Sequence, residues 1–204
     1  MRLGIFGGTF NPPHNGHLTA AETACRLLGL DRVLFIPAAL PPHKPLPEGT
    51  PEPGIRLRLT EAAVAGLPWA GVSGMELART GASYTADTVD AMARETPNAQ
   101  LWLLVGSDNF LGLHTWHQPE RIFDRCTVAA FKRDDEPEEP LQAQQAMLAE
   151  RYGARTAILP HDPVVISSTE LRALIARGEG REYVPDRVWE LMKALGLYGM
   201  QSNG

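Results

Sequence analysis

Gly7-Gly8-Thr9-Phe10-Asn11-Pro12-Pro13-His14-Asn15-Gly16-His17 is the stretch on which the reading of this chain turns. Ahead of it, Leu3 to Phe6 is short and apolar and reads as a buried strand. Behind it, from Gly16 to Leu28, the residues Leu18, Ala21, Cys25 and Leu28 recur at helical spacing, and Gly29 supplies a stop. The stretch is therefore a strand-to-helix turn. Its two glycines let the backbone pass close to a bulky ligand, and a helix starting near Gly16 offers free N–H groups and a partial positive charge to a phosphate. His14 and His17, three apart, can point to one side of that start. An imidazole bonds a phosphate oxygen either neutral or as a cation. An isolated pair of this spacing also suits a plain helix start or two zinc ligands. The preceding strand and Gly-Gly turn favour phosphate. His114 and His117 repeat the spacing, but Pro119 breaks the helical path to Glu120 and no acid accompanies the first pair, so no protein-held metal is expected.

Outward from that turn, strand and helix patterns alternate. Arg32 to Ile36 reads as a strand closed by Pro37, Ile55 to Ala65 as a helix, Gly71 to Leu77 as extended and Ala86 to Arg94 as a helix. Leu101 to Val105 is the most apolar run and reads as a central parallel strand. Short helices fill 107 to 124, Thr127 to Phe131 is a strand, Leu141 to Tyr152 a helix and Thr156 to Leu159 the last strand. Ser168 to Ala176 and Pro185 to Leu195 close the chain as helices. The pattern predicts an α/β fold in one domain over 1–204, a doubly wound parallel sheet with a small helical portion from about 168. Ligands of such sheets sit beyond the C-terminal strand ends, near the switch in strand order. Seven of the seventeen prolines lie between Pro37 and Pro53, which forces a long loop onto the surface there.

The formal net charge of -5 argues against a nucleic-acid partner, which needs a concentrated basic surface. No apolar run is long enough to span a membrane, and glycines interrupt the N-terminus where a signal peptide would carry its apolar core. Cys25 and Cys126 form no CxxC pair and read as buried, reduced thiols of a cytoplasmic protein. The sequence leaves homo-oligomerisation open.

A second segment, Val165-Ile166-Ser167-Ser168-Thr169-Glu170-Leu171-Arg172, opens a helix. Ser167 or Ser168 caps it in the plain reading, with Arg172 solvated; in the functional reading it is a second helix start turned toward phosphate, with Arg172 one turn in. Together, His14-Asn15-Gly16-His17 and Ile166 to Arg172 resemble the paired (H/T)xGH and ISSTxxR signatures of the nucleotidyltransferase superfamily, in the right order. Further segments narrow the resemblance. Pro41-Pro42-His43-Lys44-Pro45, Ser83-Tyr84-Thr85, Gly106-Ser107-Asp108, Trp116 and the closing Leu195-Gly196-Leu197-Tyr198 are similar to the bacterial nicotinate mononucleotide adenylyltransferases over nearly the whole chain. Pantetheine-phosphate adenylyltransferases tend to be shorter and lack the Ser83-Tyr84-Thr85 and Trp116 segments.

The resemblance implies a Rossmann-like domain that joins ATP to nicotinate mononucleotide with release of pyrophosphate. It implies that Gly8, Thr9, Phe10, His14, His17, Gly106, Asp108, Ser167, Ser168, Thr169 and Arg172 surround ATP. His14, His17, Lys44 and Arg172 would act on the phosphates, with magnesium bound through ATP. Lys44, Tyr84, Thr85, Trp116 and His117 would hold the mononucleotide. Three departures stand out. Asn11 replaces a frequent aspartate, Ala38-Ala39 stands where many relatives carry asparagine, and His117 stands where tyrosine is common.

Overall fold

Leu3 and Ile5 face one side of the first strand, β1 (Arg2–Gly8), and Phe6 faces the other; both sides are buried. A strand buried on both faces belongs to the middle of a sheet covered by helices twice over. The computed structural model describes residues 1–41, 45–133, 137–161 and 166–201, and it has that architecture. After β1 come α1 (Asn15–Leu28), β2 (Arg32–Pro37), α2 (Pro53–Val64), β3 (Ala70–Val72), α3 (Thr85–Glu95) and β4 (Gln100–Gly106). The second half holds α4 (Ser107–Leu111), α5 (Pro119–Arg125), β5 (Cys126–Arg133), α6 (Glu139–Tyr152), β6 (Thr156–His161), α7 (Ser168–Ile175) and α8 (Asp186–Ala194).

The six strands lie in the order β3-β2-β1-β4-β5-β6, and every pairing is parallel. The chain winds outward from β1 to β3, then crosses back to lay β4 beside β1. The strand order therefore reverses between β1 and β4, and the C-terminal ends of these two strands, Gly8 and Gly106, flank the crevice where this class of sheet binds ligands. One core packs Leu3, Ile5, Leu103, Val105 and Val128 against α3, α5 and α6. The opposite one packs Phe6, Phe35, Leu104 and Phe131 against α1. A third cluster joins Leu59 of α2 to Leu171 and Ile175 of α7 and Val188 and Met192 of α8.

The expected extended run from Gly71 to Leu77 is shorter than the sequence suggests, because β3 stops at Val72. Its one neighbour is β2, whose last pairing with it is Phe35 with Val72. Beyond that the chain turns, with Met75 N–H donating to Ser73 Oγ and Leu77 N–H to the Gly74 carbonyl. Of the two thiols expected to be buried, Cys126 is and Cys25 is half-buried; both are free. Among the described residues no helix is long and apolar enough to cross a membrane.

Candidate active site

At the end of β1 the chain folds over its own aromatic prop. Phe10 is buried in the left-handed region, φ 47°. Its ring meets His17 edge-on at 5.1 Å and Phe6 at 5.9 Å. A Cβ on Gly8 would lie 3.1 Å from that ring, so Gly8 allows the turn to close over Phe10. Gly7 and Gly106 differ, because a Cβ on either meets nothing within 4 Å. The backbone at both central strand ends is thus open to an approaching group.

His14 is the N-cap of α1. Its N–H donates to Nδ1 of His17 at 3.2 Å, and the His17 N–H returns to the His14 carbonyl at 2.9 Å. The two rings lie 3.7 Å apart. Because Nδ1 of His17 accepts, a neutral His17 carries its proton on Nε2, which makes Nε2 a donor. His14 is only 7% exposed, and its Nδ1 is buried without a hydrogen-bond partner. Burial pushes its pKa down to about 4, so the ring is neutral at neutral pH. The first turn of α1 holds no acid.

The second motif starts α7 differently. Ser167 is the N-cap, its Oγ accepting the Glu170 N–H at 3.2 Å. The Glu170 carboxylate in turn accepts the Ser167 N–H at 2.9 Å and hydroxyl at 2.7 Å. Those two bonds hold Glu170 below the usual carboxylate range. Ser168 and Thr169 complete the exposed first turn. Arg172 reaches back across the fold. Its Nη1 donates to the Asn11 carbonyl at 2.9 Å and its Nη2 to Thr169 Oγ1 at 3.1 Å. The two motifs therefore meet at Asn11. The Asn11 side chain is buried there, Nδ2 donating to Thr50 Oγ1 at 2.9 Å and Oδ1 accepting the Tyr198 hydroxyl at 2.7 Å. An amide both donates and accepts, as this junction needs; an ionised aspartate only accepts.

Asp108 is exposed in the first turn of α4, whose N-cap is Gly106. Its place beside the open end of β4 is where the sequence put it. Lys44 lies outside the described residues.

The aromatic segments lie across α3 and α5. Tyr84 is the N-cap of α3 and Thr85 its first residue. The Tyr84 and His117 rings stack directly on each other at 4.2 Å. They leave no gap for a third ring between them, so a pyridine would bind beside the pair or after it parts. Trp116 is half-buried against the core. The N–H groups of Thr115 and Trp116 are occupied by the Gly112 and Leu113 carbonyls. Among the described residues, those of His117 and Gln118 take no backbone acceptor. Gln118 has φ 49° and caps α5. Arg121 ties α5 to α3 through Asp90 at 2.6 Å and Asp87 at 3.0 Å. His114 Nδ1 lies 3.2 Å from Gln144 Nε2, while the His117 ring stacks on Tyr84.

A cytidylyltransferase-like family model matches residues 5–174. A "Probable nicotinate-nucleotide adenylyltransferase" of Pseudomonas syringae is 37% identical over 209 residues, covering 97% of this chain and 93% of that protein. One described in the same words from Geobacter metallireducens is 38% identical over 203 residues, covering 92% and 94%. The chain belongs to the nicotinate-nucleotide adenylyltransferase family. Its fold is also that of the Plasmodium falciparum nicotinic acid mononucleotide adenylyltransferase solved with NaAD, with a TM-score of 0.76 at 15% identity over 98% of each chain. The same protein complexed with APC superposes with a TM-score of 0.75 at 13% identity, again over 98% of each chain.

Other buried polar residues beside these segments were not legible as such from the sequence. Arg56 is fully buried and donates to the carbonyls of Thr9, Ala39 and Pro51. Its signal was the spacing Arg56, Leu59, Thr60 and Ala63, which puts it on the inward face of α2. Ser83 Oγ accepts the N–H groups of Ala39 at 3.2 Å and Leu40 at 3.3 Å. Behind it, buried Glu76 accepts the Thr88 hydroxyl at 2.6 Å, and burial pushes its pKa up. The alanines that replace asparagine are thus held by their backbone alone.

Proposed function

We propose that this chain transfers the adenylyl group of ATP to nicotinate mononucleotide, giving nicotinate adenine dinucleotide and pyrophosphate in NAD biosynthesis. The observation that carries this reading is the bond from Arg172 to the Asn11 carbonyl, which joins two phosphate-type motifs over the open ends of β1 and β4. In this reading a 5′-phosphate oxygen of the mononucleotide attacks the α-phosphorus of ATP. A new P–O bond forms as the bond to the bridging oxygen breaks, and pyrophosphate leaves with its electron pair. A phosphate is already an anion at neutral pH, so no strong base is needed. The protein's work is to align two anions and stabilise the developing charge.

His17 donates from Nε2 to the reacting phosphate, and neutral His14 lines the same helix start. Arg172 grips the phosphates with its planar fork, and Lys44 reaches them from the proline-rich loop. Gly8, Thr9, Phe10, Gly106, Asp108 and the Ser167–Thr169 turn enclose the nucleotide. Among the described residues no three His, Cys, Asp or Glu side chains gather to hold a metal. We expect magnesium to arrive on the ATP phosphates, where it offsets their charge.

Tyr84, Thr85, Trp116 and His117 receive the pyridine, and we expect the acid to be preferred over the amide. We expect the donors for the carboxylate to be the N–H groups of His117 and Gln118 and the Thr85 hydroxyl. Hydrogen bonds to a charged group contribute about 1.5–3 kcal/mol each, so two give roughly a hundredfold preference. The test is incubation with ATP, magnesium and each mononucleotide, with the dinucleotide and pyrophosphate identified and kcat/KM compared. Absence of a dinucleotide from either acceptor refutes the reaction. A ratio near one refutes only the acid preference.

A further inference from the structure

Arg56 is the largest fully buried side chain among the described residues. A guanidinium inside a protein is normally paired with a carboxylate. Here no ion pair to it occurs among the described residues. Its partners are three backbone carbonyls: Thr9 at 2.8 Å from Nη1, Ala39 at 3.2 Å from Nη2 and Pro51 at 3.1 Å from Nε. Burial lowers its pKa, and Tyr198 and the exposed Glu52 nearby oppose that shift.

Those carbonyls belong to three pieces of irregular backbone. Thr9 follows β1 within the Gly-Gly turn, Ala39 follows β2, and Pro51 ends the proline-rich loop before α2. Loop carbonyls have no ladder partner and need a donor when water is excluded. One planar side chain, held on the inward face of α2, serves all three. The Ala39 peptide is fixed from the other side as well, through its N–H on Ser83.

We propose that Arg56 is a positioning residue for adenylyl transfer, locking the loop after β1 against both ends of the proline-rich loop before substrate arrives. This rests on the reading of the site given above. The device preorganises two walls of the site that are otherwise joined, among the described residues, by the Ala38 N–H to Gly8 carbonyl bond and the Asn11 Nδ2 to Thr50 Oγ1 bond. It explains why so costly a burial of unpaired charge is kept, since a lysine ammonium cannot span three acceptors in one plane.

The test compares wild type with Arg56→Lys and Arg56→Gln. In the variants, KM for the substrates should rise about tenfold or more with kcat at saturation within about threefold, because substrate binding must now order the loops. Hydrogen exchange without substrate should quicken at residues 9–11, 38–40 and 50–52, with α1 and β4 unchanged. Unaltered KM in folded, active protein overturns the proposal. So does a loss of activity that merely tracks the folded fraction, or failure of both variants to fold, which would assign Arg56 to the core alone. If wild type itself forms no dinucleotide, the reading of the site fails, and the exchange measurement still decides whether Arg56 holds the loops.

Discussion

The two helix starts that meet at Asn11 look alike in sequence and differ physically. Both follow a parallel strand and both present donors suited to phosphate. At α1 the start is buried, carries no acid, and holds two imidazoles in contact. At α7 it is exposed, and Ser167 and Glu170 form a closed capping box. A carboxylate therefore already occupies the end of α7 that would attract an anion. At the α1 start the group that returns to the N-cap N–H is the imidazole of His17 rather than a carboxylate. The difference teaches that a helix N-terminus is not one kind of site: burial and the local cap decide whether its charge is available. On the proposed reading, α1 receives the transferring phosphate, and α7 is the base from which Arg172 reaches Asn11.

The sharpest break of that comparison is His17→Ala. Removing a donor aimed at developing charge should lower turnover roughly 10²–10³-fold while the fold survives, measured as kcat on protein with an unchanged melting curve. Near-normal turnover would make the α1 start no better than that of α7.

His14 gives a stability test of the same buried start. Its pKa is about 4 in the folded protein against 6.5 for an ordinary histidine. A depressed folded value means the unfolded chain takes up the proton first as pH falls. The contribution is full above pH 6.5 and is lost progressively down to pH 4. It amounts to roughly 3 kcal/mol at most. Denaturant titrations should show that slope in wild type and a flatter one in His14→Asn. Equal slopes would mean that His14 is not buried in its neutral form.

Arg172→Lys should raise KM for ATP or lower kcat/KM by roughly tenfold, because an ammonium cannot bond Asn11, Thr169 and phosphate in one plane. A silent substitution would return Arg172 to the solvated helix face.

The smallest effect belongs to the capping box. Glu170→Gln keeps an acceptor for Ser167 but removes the charge, so ATP use should change by about threefold or less, toward tighter binding. A drop of the size expected for His17→Ala would show that the two starts are more alike than their geometry suggests.

Much of this was readable along the chain. The strand, the Gly-Gly turn and the helix start at His14 follow from local periodicity and caps, and the structure has them within a residue or two. Both motifs were visible, as was a cap at Ser167 or Ser168, which the structure places at Ser167. The extended run after Gly71 was misjudged because whether a strand continues depends on how far its neighbour pairs, which lies elsewhere in the chain.

By itself, then, the sequence determined which residue types stand at each strand end and helix start, and through them the family and its chemistry. Those features are set by neighbours a few positions apart. Only the tertiary structure decided which donor meets which acceptor: Arg172 on a carbonyl 161 positions away, Tyr198 on Asn11 across 187, and Arg56 sunk beneath two loops. Contacts at such separations exist only once the sheet has brought the elements together. Whether an arginine on a helix faces water or three carbonyls is settled by that packing rather than by the residues beside it.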